Sequence, residues 1–143
     1  MSKKQNNKDE ILALIPDMIA TLENSENANI RANVAQTLSK FGDFAEASVP
    51  ALINAMKNDE SKDVRQWSII ALGAIGAKAE SAISDLIDIM NESESPIIKK
   101  NAILALGKIG NKNILPALRK FKEMNSDWWV NSMIDPIIQN ITS

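Results

Sequence analysis

Residues 71–76 read "ALGAIG" and residues 105–110 read "ALGKIG", two hexapeptides that differ at one position and lie 34 residues apart. Working outward at that interval aligns most of the chain. Ile30-Arg31 falls on Val64-Arg65 and then on Ile98-Lys99; Leu38, Leu72 and Leu106 coincide, as do Phe41, Ile75 and Ile109. The register continues through "VPALINAM" (49–56), "ISDLIDIM" (83–90) and "LPALRKFK" (115–122), the last arriving two residues early because the turn after Gly110 is shorter. "IPDMIATL" (15–22) is an earlier half-copy and residues 130–141 a later one, with Ile138 and Ile141 at the Leu106 and Ile109 positions.

Punctuation supports the same register without reference to apolar residues. The five glycines occupy two repeat positions, Gly73 and Gly107 at one, Gly42, Gly76 and Gly110 at the other; Pro16, Pro50 and Pro116 share a third. Asn27, Ser61, Ser95 and Asp127 precede the first helix of each copy, and each side-chain oxygen suits an N-cap. Pro96 suits a first helical position, and Gly42, Gly76 and Gly110 suit the left-handed residue that closes a helix. Each copy therefore predicts helix, turn, helix. Val64, Ser68, Ala71, Leu72 and Ile75 share one face of the first helix, and Ile83, Leu86, Ile87 and Met90 one face of the second. One hairpin cannot bury both stripes, whereas stacked hairpins form a continuous core. The expected organisation is a polar, flexible tail (1–9) and one repeat domain (10–143), made of a half-repeat (10–25), repeats 26–60, 61–94 and 95–126, and a terminal helix (127–143). Pro136 is expected to kink that helix.

The run "DVRQWSIIALGAIG…AISDLIDIM" resembles HEAT repeats, most closely the short repeat of the phycobilisome (PBS) lyases, over roughly residues 10–142. The resemblance implies an all-α, right-handed α-α superhelix of about seven to eight short helices whose second helices line the concave face. It also implies that Arg31, Arg65 and Lys99, a basic column on the first helices, tie adjacent repeats together through acidic neighbours. Tetratricopeptide and ankyrin patterns fit less well, because their Tyr and His signatures have no counterpart in a chain without Tyr or His.

Composition narrows the chemistry. The 143 residues include no Cys and no His, so disulfides, thiolate or imidazole metal sites and His-dependent nucleophiles are all excluded. No catalytic, metal-binding or cofactor-binding residues are assigned, and no cofactor is expected. Sixteen basic against eighteen acidic residues leave a net charge of −2, which argues against nucleic acid as a partner. No apolar run approaches the ~18 residues of a membrane span. A cytoplasmic location is the default expectation.

Candidate contact residues are those that differ between copies on outward faces. Relative to the shared proline position, these are Asp17, Ala20 and Asn24, then Ala51, Asn54 and Asn58, then Asp85, Asp88 and Glu92, then Ala117, Lys120 and Met124. The middle of this groove is acidic, with Lys120 beyond it, which suits a basic or polar partner segment or else an ordinary solvated face. Ile89 and Phe121 share an edge position that offers an apolar strip. Against this, Arg119 and Lys122 replace apolar residues of the last copy, so its helix is expected to turn Leu115, Leu118 and Phe121 inward. Trp67 is read as core filler or protruding anchor. Trp128 and Trp129 open a last helix with no second-helix partner, a candidate surface for a homodimer or another protein.

Two function classes follow. One is a non-catalytic adaptor that binds a protein partner through the groove or the open C-terminal end. The other is enzymatic and comes from the resemblance: a bilin chromophore lyase or lyase-like chaperone component, or a HEAT-like DNA glycosylase. The short chain weighs against the lyase, and an acidic groove weighs against DNA.

Overall fold

The structure, a computed structural model, describes residues 3–143. Among them are eight α-helices and no strand: α1 (Lys3–Asn24), α2 (Ala28–Phe41), α3 (Val49–Asn58), α4 (Lys62–Ile75), α5 (Ile83–Glu92), α6 (Pro96–Ile109), α7 (Leu115–Met124) and α8 (Trp128–Thr142). Short 3₁₀ segments, Gly42–Ser48, Gly76–Ala82 and Lys112–Ile114, join α2 to α3, α4 to α5 and α6 to α7.

Helix starts follow the cap residues. Asn27 Oδ1 accepts from the Asn29 and Ile30 N–H groups at 2.9 and 3.3 Å. Ser61 and Ser95 hydroxyls accept from the Val64 and Ile98 N–H groups at 3.4 and 3.3 Å. These bonds satisfy donors that a helix start otherwise leaves without partners. Asp127 differs, with no side-chain cap bond. The Val130 N–H is already bonded to the Asp127 backbone carbonyl at 3.0 Å in a tight turn.

Helix ends show a second difference. Gly42 and Gly76 adopt φ of 58° and 77°, which suits glycine, but Gly110 has φ −82° and ψ 169°. Glycine is needed there for room: a Cβ would lie 2.6 Å from Ile114 Cγ2 and 2.8 Å from the Leu106 carbonyl oxygen. The shorter connection draws Ile114 against the helix end.

Pro96 opens α6 as expected, and Pro50 and Pro116 lie in the first turns of α3 and α7. Pro16 does not start a helix; it lies inside α1, which begins at Lys3. No glycine or proline interrupts residues 3–15, so the helix propagates through most of the stretch expected as a tail. Pro136 lies within α8, which runs unbroken from Trp128 to Thr142.

Helices α2, α4, α6 and α8 stack in succession, while α1, α3, α5 and α7 each pack against the first helix that follows. This is an all-α solenoid. Gly73 sets the α4–α6 spacing, since a Cβ there would come within 3.1 Å of Ala105 Cα. The core repeats with the sequence: Leu38, Leu72 and Leu106 are fully buried in the first helices, and Leu52, Leu86 and Leu118 in the second. In α8, Val130 and Ile134 are buried, whereas Ile138 and Ile141 are only partly covered.

Candidate functional site

The basic column of the first helices is where successive layers meet. Arg31 Nη1 donates to the Ser25 carbonyl at 2.8 Å, which fixes the guanidinium across the start of α2. Its Nε and Nη2 then donate to the two carboxylate oxygens of Asp59 at 2.9 and 3.0 Å, a bidentate pair. Asp59 Oδ1 also accepts from the Ser61 N–H at 2.9 Å, so one side chain closes the turn before α4 and bolts that turn to α2. The Arg31 and Asp59 side chains are only 9% and 10% exposed.

The charges respond to this setting. Burial by itself pushes the Asp59 carboxyl upward, but it is outweighed by the Arg31 hydrogen bond, the Ser61 N–H and the nearby Arg31 and Arg65 charges. The net result lies below the ordinary carboxylate value. The bond to Asp59 raises the Arg31 pKa, opposed by burial and assisted by the charges of Asp59 and Glu60.

One repeat further on, the same scaffold carries a different chemistry. Arg65 Nη1 donates to the Asp59 carbonyl at 2.8 Å, six residues back as in Arg31, and to the Glu60 carbonyl at 3.1 Å. The residue 34 positions after Asp59 is Ser93, whose hydroxyl accepts from the Ser95 N–H at 3.2 Å. The turn is kept and the carboxylate is gone. Among the described residues, no carboxylate lies within 4.0 Å of Arg65. The expectation that the column ties repeats through acidic partners thus holds at Arg31 and fails at Arg65. A single serine is the reason.

Each arginine lines a hollow between layers. The first, about 480 Å³, is bounded by Arg31, Asp59, Ala51, Asn54, Ala55 and Asn58. The second, about 670 Å³, is bounded at the same repeat positions by Arg65, Ser93, Asp85, Asp88, Ile89 and Glu92, with Lys57, Lys62 and Glu94 at its walls. Lys57 Nζ reaches Asp85 Oδ1 at 3.2 Å and links α3 to α5.

The structure brings Asp85, Asp88 and Ile89 to one hollow, and Asn54 lines the first, where its Oδ1 accepts from Asn58 Nδ2 at 2.8 Å. Asp17 and Lys120 are exposed but line neither hollow. Phe121 is a correction: it is 3% exposed, because α7 turns Leu115, Leu118 and Phe121 into the core and leaves Arg119 outside. Its ring offers no strip to a partner. Lys122, on the same helix, pairs with Asp135 of α8. Trp67 is partly buried against the core, and Trp129 likewise, with Lys100 Nζ 5.1 Å from its ring centroid. Trp128 is 80% exposed.

Sequence reasoning missed Arg65, Lys57 and Lys62 as walls of the acidic groove. The signal was present in the register, where Asp59 aligns with Ser93, but it lies in a loop position that periodicity of apolar residues does not weigh. Among the described residues no group of three or more acidic side chains is arranged to hold a metal ion, and no helix is long and apolar enough to cross a membrane. The family described as HEAT repeats matches residues 15–103, and the PBS lyase HEAT-like repeat matches residues 98–123. Comparison with curated proteins gives no match.

Proposed function

The chain belongs to the HEAT-repeat family, and from that premise we propose that it is a small, non-catalytic adaptor that holds a segment of a partner protein. The observation that carries the reading is the contrast between core and outward faces. Leu52 and Leu86 are identical and fully buried in successive layers, while the outward residues beside them change from Ala51, Asn54 and Asn58 to Asp85, Asp88 and Glu92. Stacking constrains the first set, whereas the second faces outward and, apart from the Lys57–Asp85 and Asn58–Asn54 contacts, is free to follow a partner. The second hollow is the proposed main contact; the end of the stack around Trp128 is a further surface, suited to a second copy or another partner.

Support for binding over turnover lies in family membership and in a residue set without His or Cys. The match of residues 98–123 to the PBS lyase HEAT-like repeat keeps a chromophore lyase as the second reading. That reading requires a change in visible absorbance when the protein is mixed with bilin.

The test is selection of a displayed random-heptamer library on the immobilised full chain. Retained peptides are expected to lose binding to the Asp85→Lys, Asp88→Lys double variant by about tenfold or more, the effect of about 1.4 kcal/mol. Peptides bound equally by both proteins would remove the groove from the proposal.

A further inference from the structure

The two hollows differ at the point where a partner would have to be recognised. Arg31 is held by one bond to a carbonyl six residues back and presents its Nε–Nη2 edge to a carboxylate; Arg65 is held by the same bond, 2.8 Å in both, and its Nε–Nη2 edge meets none. Ser93 cannot take the role, because it carries no charge and offers one oxygen where a bidentate pair needs two. We propose that Arg65 is a receptor for an aspartate or glutamate side chain of a partner segment, seated as Asp59 sits on Arg31. This rests on the adaptor reading and names what the groove selects.

The surroundings refine the ligand. Asp88, Glu92 and Glu94 line the same hollow as Lys57, Lys62 and Arg65, so its charges are mixed, and a doubly charged phosphate meets more repulsion from the acidic wall than a single carboxylate does. Asp85 is engaged by Lys57, whereas Asp88 and Glu92, one helical turn apart on α5, make no ion pair among the described residues. A segment that places a lysine or arginine near its acid satisfies both walls at once. Ile89 stands where the first hollow has Ala55, and it gives the methylenes of a glutamate an apolar surface. The first hollow makes the opposite prediction. Its arginine already holds an internal carboxylate, so it does not select acids.

The same heptamer library, with phosphoserine counterparts of the retained sequences, tests this against Ser93→Asp. That substitution restores the internal carboxylate, and Asp59 shows that aspartate keeps the turn bond to the residue two further on, at 2.9 Å. Retained peptides are expected to be enriched in Asp or Glu close to Lys or Arg. They should bind Ser93→Asp and Arg65→Gln about tenfold or more weakly, and Ser93→Asp should melt no lower than the parent. Peptides without an acid, peptides indifferent to Ser93→Asp, or preference for the phosphoserine forms would each overturn the assignment. Binding that responds to Asp88→Lys but not to Ser93→Asp sinks this inference alone. No retained peptide at all sinks the adaptor reading with it.

Discussion

The first and second hollows are built on one backbone plan and differ in what their arginine meets. In the first, Arg31 and Asp59 close on each other, the second-helix lining is Ala51, Asn54, Ala55 and Asn58, and Glu23, Glu26 and Glu60 stand at the rim. In the second, Arg65 has no carboxylate, charged side chains replace the amides, and Ile89 replaces Ala55. The comparison separates two uses of one residue position. A basic side chain on the first helix fastens layers together where the turn residue is Asp59 and meets no carboxylate where the aligned residue is Ser93.

The largest expected effect tests whether the two layers are equivalent in their interiors. Leu52→Ala and Leu86→Ala each delete a fully buried side chain at the same repeat position, and each should cost about 2–5 kcal/mol in chemical denaturation. Sharply unequal losses would show that the cores diverge as the surfaces do. Next in size is Asp59→Asn, which leaves Arg31 beneath its layer without a counter-charge. The variant should melt several degrees below the parent at neutral pH. Because the Asp59 carboxyl titrates below its ordinary value of about 4, its stabilisation is complete above that value and is lost as pH falls through the lower folded value. Melting curves of the two proteins should therefore converge in acid, and a gap independent of pH would remove the ion pair as its cause. The smallest effect is Lys57→Ala. Its partner Asp85 exists only in the second hollow, but the lysine is 47% exposed, so equilibrium unfolding should change by less than about 1 kcal/mol.

Legibility in the sequence varied with the kind of constraint. Helix starts at Asn27, Ser61 and Ser95 were readable because a cap is a local bond between a side chain and the next few N–H groups. The inward turn of Phe121 was readable from Arg119 and Lys122 at formerly apolar positions, though the choice between strip and core needed the packed helix. Gly110 misled, since a glycine at a helix end signals either a left-handed backbone or a lack of space, and only Ile114 pressed against it distinguishes the two. Pro16 shares the repeat position of Pro50 and Pro116 but not their place in a helix. The shared proline position marks a helix start only where a turn precedes it, and the first half-copy has none.

The repeat length, the helical hairpins, the caps and the buried leucines were determined by the sequence alone, because each depends on neighbours along the chain or on a periodic apolar face. Which charges meet was decided by tertiary structure. Arg31 and Asp59 are 28 residues apart in the chain and become partners only when one layer settles on the next. Ion pairing depends on distance in space, so the contrast between a fastened arginine and an open one appears only in the stacked molecule.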